Sequence, residues 1–438
     1  MANLLRYAIL AISLLCMSML IANTVLFHFT VICMQPTEYE ITHLNATKVF
    51  SPMEESWILS AIAVGRLAGT LPAITTMNHF GLRSTFTVFG LMSGLATVLM
   101  PLAGTEFYYV LAGFGVASVY VAIGVIPIVW GGAKEKGMFV SLLTCSYQLA
   151  PFMTMPISGF FCDSSFGWPG VYYVFGTSTI FVFAIFFLVY SNSPYRNRFA
   201  SSKQVFPIGA EAEEKLTDEK AIVPYKAIFS TPSVWGVWMT ALGDALGYQV
   251  FILYGPIYIN KVLHFEIAKT GMLAAVPYFL SIFTKFLGGI YIDKARCVGE
   301  HAKILSFTSI SQAMMTVCFV LLTLISADTP MIAQAIFALT IVFSGLHCIG
   351  LMSGSQIVAQ QYNHILTSII AVENGLVVLL LPTVVAIIAP HHGNAEWSTV
   401  FYYIIGVLAV TNLTFVILTK VKPAKWAELE LRECKHVC

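Results

Sequence analysis

Arg66, Asp244 and Glu373 stand inside long apolar stretches of this chain, where each could do chemistry that a water-exposed copy could not. Arg66 sits in Ala63-Val64-Gly65-Arg66-Leu67-Ala68-Gly69, Asp244 in Gly243-Asp244-Ala245-Leu246-Gly247, and Glu373 in Ala371-Val372-Glu373-Asn374-Gly375. A guanidinium presents a planar fork of donors that fits a carboxylate or phosphate through two bonds at once. A carboxyl group removed from water changes its proton affinity, and a neighbouring cation changes it the other way, so such acids suit proton or cation handling. A charge at membrane depth is expensive, and it must face a wet cavity or an opposite charge. Arg66 therefore reads as an anion-binding or gating cation, or as half of a structural ion pair. Asp244 and Glu373 read as proton- or cation-handling acids, or as fixed interhelical partners.

Neutral and weakly basic groups share these stretches. His28 and His347 are suited to proton exchange near neutral pH, or to a hydrogen-bonded place in a cavity wall. Asn23 and Gln148 could donate to a solute or bond one helix to the next. Lys285 lies in the inner half of its stretch, where a long stem lets the ammonium reach the membrane surface. No serine–histidine–acid arrangement, metal-ligand spacing or G-x-x-x-x-G-K-[ST] loop is present. Catalytic residues, a metal site, a cofactor and ATP-driven work are accordingly not expected. Of the nine cysteines, Cys16, Cys33, Cys145, Cys162, Cys297, Cys318 and Cys348 are scattered through apolar segments and their ends, and read mostly as small apolar fillers.

The elements that must hold these groups account for the composition. Hydrophobic residues make up 58% of the 438, charged residues only 10%, and the mean hydropathy is +0.80. A helix of roughly 20 apolar residues crosses the hydrocarbon layer with its backbone bonded internally. Twelve such spans can be read, at about 7–33, 57–77, 84–104, 107–130, 138–162, 170–190, 233–258, 270–293, 303–325, 330–357, 365–389 and 398–419. The expectation is an all-α polytopic membrane protein whose surroundings are a lipid bilayer, with no nucleic-acid partner.

Lys and Arg gather on one set of loops, from Arg6 and Arg83 through Lys134, Lys136, Arg196 and Arg198 to Lys294, Arg296 and Lys420. The opposite loops hold only Lys48, Lys261 and Lys269. This bias places both termini in the cytoplasm. Asn45-Ala46-Thr47 then falls in the longest outside loop as a glycosylation candidate, Asn45 being the acceptor. Outside means extracellular at the plasma membrane and luminal in a vesicular or lysosomal membrane. The chain divides into residues 1–190 with six spans, a polar linker at 191–232, residues 233–419 with six more, and a tail at 420–438. Such halves are the arrangement of secondary transporters that open alternately to either side. The glycines within 65–69 and 111–115 predict close helix packing.

Short polar signatures add a family resemblance. They are Trp130-Gly131-Gly132-Ala133-Lys134-Glu135-Lys136-Gly137, Pro156-Ile157-Ser158-Gly159 and Gly167-Trp168-Pro169-Gly170-Val171-Tyr172-Tyr173. In the second half come Phe265-Glu266-Ile267-Ala268-Lys269-Thr270-Gly271, Ala275-Val276-Pro277-Tyr278, Gly288-Gly289-Ile290-Tyr291-Ile292-Asp293 and Glu396-Trp397-Ser398-Thr399-Val400-Phe401. In this order they resemble the anion:cation symporter branch of the major facilitator superfamily, which includes vesicular glutamate transporters, sialin and type I sodium–phosphate cotransporters. The resemblance implies a major facilitator fold, with twelve transmembrane helices in two pseudo-symmetric six-helix bundles around a central site. It also implies transport of a small organic anion or phosphate, coupled to H+ or Na+. Within that fold the spans of Arg66, Asp244 and Glu373 approach one another, so that Arg66 could pair with either acid. Arg83 in the turn Gly81-Leu82-Arg83, and Asp293 beside Lys294 and Arg296, match the family's cytoplasmic gate.

The chain also departs from the pattern. Where much of the family has an arginine and then a glutamate in the fourth span, this sequence has Tyr109 and Val116; Val121 replaces a frequent proline, although Tyr120 remains. Asp244 stands where many vesicular members carry an arginine, and Arg66 where a tyrosine is usual. These changes keep two other readings open: a transporter of a neutral or cationic solute, and a transport-inactive membrane sensor or interaction protein.

Overall fold

In hydrocarbon a backbone must bond to itself, and the computed structural model follows that demand: all regular structure among the described residues is helical. The structure describes residues 2–34, 50–103, 106–193, 224–294, 299–325 and 329–427. Asn45, most of the 191–232 linker and the tail cysteines Cys434 and Cys438 lie outside the described residues.

The first half runs α1 (Ala2–Met34), α2 (Pro52–Ala103), α3 (Glu106–Trp130), α4 (Gly132–Thr144), α5 (Ser146–Asp163) and α6 (Gly167–Val189). After a short helix, Tyr225–Phe229, come α7 (Pro232–Ile257), α8 (Ile267–Lys294) and α9 (Glu300–Leu324). The chain closes with α10 (Pro330–Ala359), α11 (Asn363–Ile388) and α12 (Asn394–Leu418). Eleven segments among the described residues are long and apolar enough to cross a membrane, and the chain is a multi-pass membrane protein. The span expected at 233–258 is not one of them. It forms the 26-residue helix α7, but Asp244, Gly236, Gly243, Gly247 and Gly255 dilute its hydropathy. Two other expected spans form the single element α2, interrupted at Gly81, whose φ of 75° and ψ of 169° suit a residue without a side chain.

The helices fold as two compact units, Met1–Ala221 with Ile267–Met272, and Ile222–Glu266 with Leu273–Cys438. In the first, α2 packs most extensively on α3 and also on α6, while α1 lies on α5 and α6. The expected glycine packing is present between α2 and α3. A Cβ on Gly65 would stand 1.9 Å from the Val110 carbonyl oxygen, and one on Gly113 would stand 2.1 Å from that of Ile62. The two backbones therefore touch. Phe86 fits between the rings of Phe183 and Phe186 of α6, with centroids 5.0 and 5.2 Å away.

The second unit is centred on Phe251 of α7. Its ring stacks on Phe319 of α9 at 5.2 Å, meets Phe337 of α10 edge-on at 4.4 Å and lies 6.0 Å from Phe401 of α12. Parts of what reads as linker and tail also belong here. Ile228 of the short helix is buried in one cluster with Trp238, Tyr362 and Trp426, and Trp426 Nε1 donates to Thr231 Oγ1 at 2.9 Å. Apolar side chains at both segment edges have a core to enter.

Cys33, at the end of α1, and Cys162, at the end of α5, form a disulfide across 129 residues with their Cα atoms 5.9 Å apart. They are not apolar fillers: packing of α1 along α5 brings the two carboxyl-terminal ends together. Cys16, Cys145, Cys318 and Cys348 stand outside any disulfide among the described residues.

Candidate functional site

Arg66 occupies the α2 limb that packs on α3, with the small residues Gly65 and Gly69 giving the helix its close approach. Its guanidinium carbon lies 5.0 Å from the Tyr120 ring centroid, and Nη2 donates to the Tyr120 hydroxyl. Tyr147 of α5 completes the cradle, interacting with both Arg66 and Tyr120. Buried Nε has no hydrogen-bond partner among the described residues, and no carboxylate there forms an ion pair with Arg66. A tyrosine hydroxyl and a ring face soften a cation's desolvation without neutralising it. The arrangement thus keeps a donor fork and a positive charge available for an anion.

The second unit builds a different constellation. Asp244 Oδ1 stands 3.5 Å from Nδ1 of His347 on α10, with Asp244 15% exposed and His347 fully buried. The sequence reading offered Arg66 as a partner for this acid; the partner seen is His347. On its other side, His347 Nε2 lies 2.9 Å from Thr240 Oγ1. The Thr240 hydroxyl donates to Gln312 Oε1 of α9 at 2.6 Å, and Gln312 Nε2 donates to Thr411 Oγ1 of α12 at 3.0 Å. Thr240 and Asp244 are four apart, so one face of α7 presents both to its neighbours.

The remaining candidates separate by environment. Glu373 is half-buried on α11, and its Oε2 has no hydrogen-bond partner among the described residues. Asn23 is spent between helices: its Nδ2 donates to Ser93 Oγ and Thr179 Oγ1, both at 3.2 Å, tying α1 to α2 and α6. Gln148 is buried on α5 beside Tyr147, with Oε1 unbonded among the described residues. His28 is buried on α1. Lys285 runs along α10, close to Gly345 and Cys348.

Of the gate candidates, Arg83 is engaged within its own unit. Its Nε donates to the Phe187 carbonyl at 2.7 Å, its guanidinium covers the Phe187 ring at 4.3 Å, and its backbone N–H donates to Asn192 Oδ1 at 2.8 Å. It pins the Gly81 turn to the end of α6. The Asp293 side chain lies outside the described residues. Tyr109 and Val116, at the departing positions, are buried; Tyr109 packs edge-on against Phe27 at 5.0 Å and lies beside Tyr172.

Tyr147, Thr240, Gln312 and Thr411 belong to these sites but were not singled out as site residues from the sequence. Polar amides and hydroxyls inside apolar spans are the one signal that pointed to them.

A family model described as Major Facilitator Superfamily matches residues 7–372. Among relatives, sodium-dependent phosphate transport protein 1 of Homo sapiens is 24% identical over 402 residues, covering 86% of this chain and 83% of that one. Vesicular glutamate transporter 3 of Danio rerio is 22% identical over 410 residues, covering 89% and 69%. Among solved structures, a D-xylose–proton symporter superposes with a TM-score of 0.67 at 15% identity, covering 95% and 98%. The relatives agree with the symporter branch read from the loop signatures, and the solved structure with the fold. Matched over most of its length, the chain belongs to the Major Facilitator Superfamily and is a membrane transporter rather than an enzyme.

Proposed function

We propose that this chain moves a small organic anion or inorganic phosphate by alternating access, with Arg66 as the anion-binding cation. The observation that carries the reading is the Arg66 cradle: an intramembrane guanidinium held by Tyr120 and Tyr147, with a buried Nε unsatisfied among the described residues. A cation in that setting is relieved by an anion that brings both charge and acceptor oxygens. The names of the relatives, a sodium-dependent phosphate transport protein and a vesicular glutamate transporter, support the substrate class. Asp244 and Glu373 are the proposed coupling acids, with H+ or Na+ as the ion. Gln148, beside Tyr147, is a proposed neutral donor to the solute. Residues 1–190 and 233–419 are the proposed moving halves.

Both termini are proposed to be cytoplasmic, in the plasma membrane or a vesicular or lysosomal membrane, with Asn45 glycosylated outside. The Cys33–Cys162 disulfide supports this orientation, because the charge bias puts both of its cysteines on the outer side, where disulfides form and persist. A second reading, transport of a neutral or cationic solute, is favoured by one observation: buried Tyr109 and Val116 supply no charge where the family pattern has two.

The test is uptake by purified protein in liposomes of labelled phosphate, glutamate and urate, with pH, sodium and voltage gradients imposed separately. Saturable flux of one anion, lost in monodisperse Arg66→Gln, is expected. Anion flux that survives Arg66→Gln at unchanged KM would overturn the role of Arg66. Flux of neutral or cationic solutes alone would favour the second reading.

A further inference from the structure

We propose that Asp244 and His347 jointly hold one exchangeable proton, at a position set by a directed hydrogen-bond chain through α7, α9, α10 and α12. The proposal builds on the coupling role given above to Asp244, and adds its partner and the identity of the ion.

The direction of the chain follows from counting donors. Thr411 has one hydroxyl proton and donates it to the Val407 carbonyl of its own helix at 2.8 Å. It therefore accepts from Gln312 Nε2 at 3.0 Å. The carboxamide then turns Oε1 toward Thr240, and an amide oxygen only accepts, so Thr240 spends its one proton there, at 2.6 Å. At the 2.9 Å contact with His347, Thr240 must be the acceptor and Nε2 must carry hydrogen. A neutral imidazole with hydrogen on Nε2 has a bare lone pair on Nδ1. That nitrogen faces Asp244 Oδ1 at 3.5 Å.

Two lone pairs facing each other in a buried site repel, and one proton between them removes the conflict. The loaded pair is an aspartic acid donating to Nδ1, or equally a carboxylate beside an imidazolium; its net charge is zero in both forms. Release sends that proton to solvent and leaves a carboxylate with a neutral imidazole, net charge minus one, with no other bond made or broken. Asp244 is the entry point, since it is 15% exposed while His347 is sealed.

The titratable groups around the pair are Tyr248 on α7, Tyr278 and Lys285 on α8, and Cys348 on α10. Helices α9 and α12 contribute the neutral Gln312 and Thr411. No charged group acts on Glu373 of α11 among the described residues. Lys285, beside Cys348, is the nearby cation that would accompany Asp244 once its proton has left.

The test is solid-state NMR of full-length protein in lipid, labelled with 15N-histidine and followed over pH. His347 is assigned by its loss in His347→Gln or its shift in Asp244→Asn. The expected neutral species carries hydrogen on Nε2. A neutral species with hydrogen on Nδ1 would overturn the proposal, because the chain would then run the other way and Asp244 would accept an ordinary hydrogen bond without an extra proton. Sequential 13C–15N assignment of His347 through Leu346 and Cys348 in the wild-type protein reads the same signal where a variant fails to fold. In liposomes, Asp244→Asn is expected to cut stimulation by an inward proton gradient at least tenfold. Wild-type flux indifferent to a proton gradient would overturn the coupling role. An Nε2-protonated His347 in protein that moves no anion would sink the anion reading and leave the proton site standing. Anion flux with Nδ1-protonated His347 would do the reverse.

Discussion

Arg66 leans on two tyrosines, while Asp244 faces a histidine wired to a line of buried amides and hydroxyls. The first unit meets its intramembrane charge with a ring face and phenols, which are worth about 0.5–2 kcal/mol as a cation–π contact. Removing an ion from water costs several kcal/mol even after relaxation. The cation is left under-compensated, which favours an incoming anion. The second unit links its polar groups one after another, so the Thr240 and Thr411 hydroxyl protons are both committed within the chain. A proton is small enough to be handled there. The contrast teaches that two charges inside apolar helices can be prepared for different ligands by their neighbours alone.

The strongest way to break this comparison is to disturb the packing that positions Arg66. Gly113→Val drives a side chain into the Ile62 carbonyl; it is expected to destabilise the first unit by about 3 kcal/mol or more, the upper end of overpacking costs. Gly406→Ala, which meets open space in α12, is expected to stay within about 0.5 kcal/mol. Thermal unfolding in detergent compares the two. Next is Gln312→Leu in the second unit, which strands the Thr240 hydroxyl and removes a donor to Thr411. A loss of about 1–3 kcal/mol is expected, read the same way, with the KM for the transported anion unmoved because the Arg66 cradle is intact.

Tyr120→Phe sharpens the first half of the contrast. The ring face stays and the phenol goes, so anion KM is expected to rise about tenfold, or about 1.4 kcal/mol, with little change in stability. A steady-state uptake curve measures it, and an unchanged KM would mean that the hydroxyl does not orient the guanidinium. The smallest effect is expected at Arg6, whose Nε and Nη2 donate to the Trp130 and Gly131 carbonyls at 2.8 and 2.6 Å at the carboxyl end of α3. Arg6→Ala removes a cation from a helix terminus, worth about 0.3–1 kcal/mol, and should shift the melting temperature slightly without altering uptake.

Much of the fold could be read from the chain because hydrocarbon imposes a length and a composition on every span. The Gly81 turn and the glycine contacts between α2 and α3 were readable for a similar reason, since each depends on a residue with no side chain. α7 was readable at 233–258 and folds over Pro232–Ile257, although an acid and a series of glycines lower its hydropathy. The sites were legible as residues but not as pairs. Asp244 and His347 both stood out, yet nothing local links α7 to α10, and Gln312 looks ordinary until its two threonines are placed beside it. The disulfide was hidden likewise, since helices α2, α3 and α4 separate Cys33 from Cys162 along the chain. Arg83 was legible as part of a tight turn as well as a gate group, and Asn23 as a helix-to-helix donor as well as a cavity group; their contacts are a turn held to α6 and a joint of three helices.

The Cys33–Cys162 bond also sets a clock on how the protein is made. Its second sulfur is synthesised 129 residues after the first, a wait of roughly 6–26 s at about 5–20 residues per second. Through that interval Cys33 is an open thiol, free to be captured by a wrong partner or by an oxidoreductase. The bond closes only after α5 has been delivered and laid along α1. It is thus a covalent record that α1 and α5 found each other.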